Sequence, residues 1–134
     1  MKIDIFSQIQ FETEAGSDPN LLGDFIWVAR ENLSDVAMRL HWLERDLSNA
    51  AALQALWRNF YTIKSLAAFL NLSHIAAVAQ EFETLFDQAR LGELLISPGQ
   101  IVTVSGGSTY LHRRINALSL SCSSDVCSSD VLFG

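Results

Sequence analysis

Cysteine is scarce in this 134-residue chain, and both copies, Cys122 and Cys127, sit near the C-terminus. They say little about redox compartment, and a two-cysteine metal site lacks the further ligands that zinc requires. Basic residues are also few. Nine Lys and Arg stand against fifteen Asp and Glu, for a net charge of −6. That balance argues against nucleic acid as a partner, because neutralising phosphates takes clustered cations. No apolar run approaches the roughly 20 residues needed to span a bilayer, so membrane insertion is not expected. The opening Met1-Lys2-Ile3-Asp4-Ile5-Phe6 is too polar and interrupted for a secretory signal, which makes the cytoplasm the expected location. Phosphate-cradling glycine loops, nucleophile–base pairs and metal-ligand clusters are missing as well. An enzyme reading therefore has no support, and no cofactor is implied.

What is abundant is apolar surface. Hydrophobic residues form 49% of the chain, enough for one domain with one core. Residues 1–17 are expected to form a flexible leader, in which Ile3, Ile5, Ile9 and Phe11 could supply a short packing strand or turn. Asp18-Pro19 is a helix start signal, a capping carboxylate followed by proline at the first helical position. Leu22, Phe25, Ile26, Ala29, Leu33, Val36, Leu40, Leu43 and Leu47 then recur at steps of three and four, predicting a long amphipathic helix. Ser48 or Asn49 can cap a second helix with Leu53, Leu56, Phe60, Ile63, Ala67 and Leu70 on one face. Asn71 suits a left-handed stop, and Ser73 is expected to cap a third helix that ends at Gly92.

Ser97-Pro98 repeats the start signal, and Ile101, Val104, Leu111, Ile115 and Leu118 fall on one face. Gly106-Gly107 interrupts this stretch, and each glycine costs about 1 kcal/mol relative to alanine in a helix. A fourth helix, frayed or broken there, is the expectation. The fold class is then all-α, an antiparallel up-down four-helix bundle over residues 18–118. Residues 119–134 are expected to be a low-complexity tail, artefactual or disordered. Cys122–Val126 and Cys127–Val131 repeat the same five residues and resemble translated adapter sequence, so that the natural protein would continue past about residue 120. Trp57 is expected in the core. Trp27 and Trp42 lie off the main apolar stripe and are expected to extend the core rather than mark a docking patch.

The second and third helices carry Phe60-Tyr61-Thr62-Ile63-Lys64-Ser65, Phe69-Leu70-Asn71-Leu72, Glu83-Thr84-Leu85-Phe86-Asp87, Ala89-Arg90 and Gly92-Glu93-Leu94. With Asp18-Pro19-Asn20-Leu21-Leu22 and Ala29-Arg30-Glu31-Asn32-Leu33 ahead of them, this pattern resembles the histidine-containing phosphotransfer (HPt) domain of chemotaxis-type, CheA-like histidine kinases. The resemblance covers residues 18–96 and weakens towards 118. It implies a module of a two-component, chemosensory phosphorelay. In that family a histidine on the second helix takes a phosphoryl group from a kinase's ATP-binding module and passes it to a receiver-domain aspartate. A lysine one turn later offsets phosphate charge, and a glutamate on the next helix orients the second ring nitrogen.

Carried over by that resemblance, the lysine is Lys64, the glutamate Glu83, and a second polar contact Gln80. The acceptor position holds Tyr61, and the family's glycine beside the lysine is Ser65. A phenol titrates at about 10 when unperturbed and has no second ring nitrogen for a glutamate to hold. Phosphotyrosine is also a stable ester and a poor donor to aspartate. The expectation is a site that is not phosphorylated, on a module that docks a response-regulator receiver domain or a histidine-kinase module. The alternatives are the N-terminal part of a chemotaxis-type kinase whose relay site is inactive, and a purely structural bundle. Tyr61 is then an interface anchor or an aromatic packed beside Phe60. His41, His74 and His112 lie outside the motif and are expected to be ordinary polar residues. Lys64 and Glu83 could form an ion pair between helices, which contributes only about 0–1 kcal/mol if exposed.

Overall fold

The computed structural model describes residues 19–122. The Asp18 start signal, the leader and residues 123–134 lie outside the described residues. The described chain is four helices: α1 (Pro19–Arg45), α2 (Ala50–Phe69), α3 (Ser73–Arg90) and α4 (Pro98–Cys122). Short connections make consecutive helices antiparallel neighbours. α2 packs most extensively on α3, α1 lies against both α2 and α4, and α4 meets α3 along a thinner seam.

The apolar stripes converge as the periodicity requires. Leu33, Val36 and Leu43 of α1 face Leu56, Phe60 and Ile63 of α2, all buried, with Phe86 of α3 and Leu111 and Ile115 of α4 completing the centre. Phe60 is the hub: its ring lies 6.0 Å from Phe86, nearly parallel, and 5.3 Å from Phe82, tilted. Such ring pairs contribute about 0.5–1.5 kcal/mol beyond their buried area. One polar side chain enters this layer. Asn59 is buried, and its Nδ2 donates to Asp35 Oδ2 at 3.0 Å. Asp35 also accepts from Arg39 Nε at 3.3 Å, so the α1–α2 seam carries a satisfied polar link.

The helix ends follow local chemistry. Asn49 Oδ1 accepts from the Ala52 amide at 3.0 Å, so Asn49 rather than Ser48 caps α2. Past α2, Asn71 adopts φ 62°, its amide donates to Ala68 O, and the Leu72 amide reaches Ala67 O at 2.8 Å. Gly92, at φ 81°, repeats this double closure after α3, with Glu93 N on Gln88 O. Both are Schellman stops, and both residues tolerate the left-handed region. At the start of α4, Ser97 Oγ accepts from Gln100 N and Gln100 Oε1 accepts from Ser97 N, a reciprocal capping box.

Three expectations need correction. α4 is neither frayed nor broken at Gly106-Gly107 but runs helical through both. Ile101, Val104, Leu111 and Ile115 bury enough surface against the other helices to carry it, and Arg30 clamps Asn116 Oδ1 across α1 and α4 at 2.8 and 3.2 Å. Gly107 is where the bundle needs a missing side chain: a methyl built there would overlap Cε2 and Cζ of Phe82. Ser73 is not the α3 cap. It is the first helical residue, and the cap position is Leu72, which offers no side-chain acceptor. Trp27 and Trp42 do not extend the core; they are 65% and 40% exposed. Both point away from the bundle because the buried residues of α1 lie on the opposite side of its helix.

Candidate functional site

The expected site residues come together at the α2–α3 edge. Tyr61, Lys64 and Ser65 project from consecutive turns of α2, and Glu83 faces them from α3. Lys64 Nζ donates to Glu83 Oε1 at 3.4 Å, forming that interhelical ion pair. Its side chains are 24% and 15% exposed, so water screens the pair only in part. The same ammonium lies 5.0 Å from the centroid of the Tyr61 ring, the i, i+3 reach of one helical turn. Gln80 is exposed one turn before Glu83, and Ser65 is half-buried beside Lys64. Neither enters the network that follows.

Two residues that the motif leaves out build the rest of the site. Trp57 lies one turn before Tyr61, and the two rings stack at 5.6 Å with an interplanar angle of 25°. The Trp57 indole Nε1 donates to Glu83 Oε2 at 3.2 Å. Each oxygen of Glu83 therefore accepts from one α2 residue, Trp57 on one side and Lys64 on the other. The Arg90 guanidinium sits 4.0 Å from the Trp57 ring centre. Arg90 is itself held by Asp87 Oδ1 and reaches Gln54 Oε1 at 3.5 Å. The result is a ladder of cation, phenol, indole and cation, running Lys64–Tyr61–Trp57–Arg90, with Glu83 and Asp87 fastening its ends. Trp57 is half-buried at this edge and only partly in the core, a correction to its expected position. Its i, i+4 spacing from Tyr61 was the available signal. Arg90 stood in the motif without an assigned role.

The histidines stay apart from this edge. His41 is exposed on α1, 3.9 Å from Glu44 Oε1, and His74 is exposed at the start of α3. His112 is half-buried on α4. Among the described residues no cluster of side chains could hold a metal ion, and no helix is long and apolar enough to cross a membrane.

Fold and edge together define a class: four-helix bundles in which a polar and aromatic site projects from the second helix towards the third. The sequence model of the Hpt domain family matches residues 21–119, and the chain belongs to that family. Hpt domains serve phosphorelay signalling, and membership places this chain in that role. Among solved structures, the CheA phosphotransferase domain from Thermotoga maritima is similar in fold, with a TM-score of 0.72 at 23% identity over 78% of this chain and 99% of that one. A comparison with curated proteins gave no match.

Proposed function

We propose that this chain is a cytoplasmic Hpt module of a chemosensory or other two-component pathway that docks receiver or kinase domains without carrying phosphate. The supporting observation is the occupancy of the α2–α3 edge. On this reading Tyr61 stands in for the family's acceptor; its ring is held between Trp57 and Lys64. Glu83, which would orient an imidazole, accepts instead from Trp57 and Lys64. A phenol in that setting offers no nitrogen nucleophile and no second ring proton for Glu83 to steer. What the edge keeps is a firm aromatic and charged surface of the kind that anchors interfaces.

The likeness to a CheA phosphotransferase domain favours one further reading: the chain belongs to a chemotaxis-type kinase whose relay site has been lost. Both readings meet the same test. A kinase's ATP-binding module with labelled ATP is offered the unmodified chain and Tyr61→His. Labelling of the unmodified chain at Tyr61 would sink the proposal. A receiver-domain titration without detectable binding would remove the docking role and leave a structural bundle.

A further inference from the structure

We propose that the outward face of α1 pairs two copies of this chain, antiparallel and two-fold, with Trp27 of each copy against Trp42 of the other. This goes beyond the docking role of the α2–α3 edge and uses a different surface.

The face is apolar where solvent should favour polar residues. Trp27 is 65% exposed, Met38 45% and Trp42 40%. At 3.6 residues per turn, Asp24, Trp27, Glu31, Met38, Trp42 and Arg45 fall within an arc of about 60°, opposite the stripe of Phe25, Ala29, Leu33, Val36 and Leu40 that enters the core. No other described helix covers that side, since α1 packs on α2 and α4 through its buried stripe. Two indoles and a thioether on one line are more than scattered surface apolarity.

The order of residues along the face selects a second copy as occupant. Trp27 and Trp42 are equidistant from the midpoint between Ser34 and Asp35, and so are Asp24 and Arg45; Glu31 and Met38 are as well, a mismatched carboxylate–thioether pair that limits the affinity. A two-fold axis through that midpoint, perpendicular to the helix, brings each Trp27 onto Trp42 of the second copy and each Asp24 onto Arg45 of the second copy. The two tryptophan contacts lie about 22 Å apart along α1, from a rise of 1.5 Å per residue. A parallel pairing would instead set Asp24 on Asp24 and Arg45 on Arg45, like charge on like. Self-complementarity of one patch is what an isologous interface requires. Stable interfaces take about 800 Å² from each partner, and one helix face supplies part of that, so a weak dimer is expected.

Sedimentation velocity of the full chain over a concentration series tests this. A monomer–dimer equilibrium is expected with a Kd on the order of 10–100 μM. Trp42→Glu should raise the Kd at least about tenfold, by placing a charge in each tryptophan contact. Asp24→Arg and Arg45→Asp should each weaken pairing, and the two combined in one chain should restore it. Asp24 and Arg45 are exposed and remote from the core, so folding, followed by circular dichroism, should be intact in that series even if Trp42→Glu disturbs α1. A chain that stays monomeric to about 1 mM overturns the proposal, as does a dimer that ignores both Trp42→Glu and the charge reversals. Tyr61→His should leave the equilibrium unchanged, so failure of the docking role at the α2–α3 edge would not touch the dimer.

Discussion

Gly106 and Gly107 are neighbours in one helix, yet alanine should have opposite effects at the two positions. An added methyl at Gly106 meets nothing within 4 Å. Gly106→Ala therefore gains only the helix preference of alanine, about 1 kcal/mol of added stability. At Gly107 the same preference is opposed by overlap with the Phe82 ring. That ring cannot swing aside freely, because it is 8% exposed and packs on Phe60 at 5.3 Å. Forcing an extra carbon into such a contact costs about 1–3 kcal/mol, so Gly107→Ala should come out net destabilising by roughly 1 kcal/mol. The difference between the two variants isolates the overlap, since the propensity gain cancels. Urea titrations at fixed m-value, or thermal melts, measure it directly. For a domain of this size, each kcal/mol corresponds to about 4–8 °C in Tm. Two variants of equal stability, or Gly107→Ala the more stable, would refute the claim that α3 and α4 approach through the missing side chain.

Further expectations concern single interactions. Trp57→Phe keeps a ring for Tyr61 to stack on but removes the indole donor to Glu83, and denaturant unfolding should show a loss of about 1 kcal/mol. Asn59→Ala strips the buried donor from Asp35 while Arg39 still holds that carboxylate; the expected cost is about 1–2 kcal/mol, and an unchanged midpoint would contradict the polar link. Asn49→Ala should destabilise by about 1 kcal/mol through loss of the α2 cap, whereas Ser48→Ala should do much less.

Fold and site differed in how far they could be inferred from residues alone. Apolar periodicity placed α1, α2 and α3 because each buries a single continuous stripe, and Asn71 and Gly92 marked their stops through a backbone preference that acts locally. α4 was harder. Its glycines read as a defect until Phe82, 25 residues earlier in the chain, supplies the reason for one of them. The exposure of Trp27 and Trp42 was equally hidden, since hydrophobicity alone argues for burial and only the direction of the α1 stripe decides it. At the site, spacing linked Tyr61 with Lys64, and the family pattern added Glu83 from another helix. Trp57 reads as core because an indole at helical spacing looks like core, and its hydrogen bond to Glu83 depends on how α2 and α3 are rotated. Arg90 became informative only through its position over that indole.

The unequal seams of the bundle carry a consequence for its motions. α2 and α3 interlock through the Phe60–Phe86 stack and the Trp57–Glu83–Lys64 links, whereas α4 touches α3 along a short stretch and is held mainly by α1. Local opening should start where the fewest contacts must break. Amide hydrogen exchange is then expected to divide the molecule: amides along α4 should exchange through a low-energy opening in which that helix detaches and unwinds, well before the α2–α3 hairpin yields. The edge that bears Tyr61 would in that case stay formed while the far side of the bundle breathes.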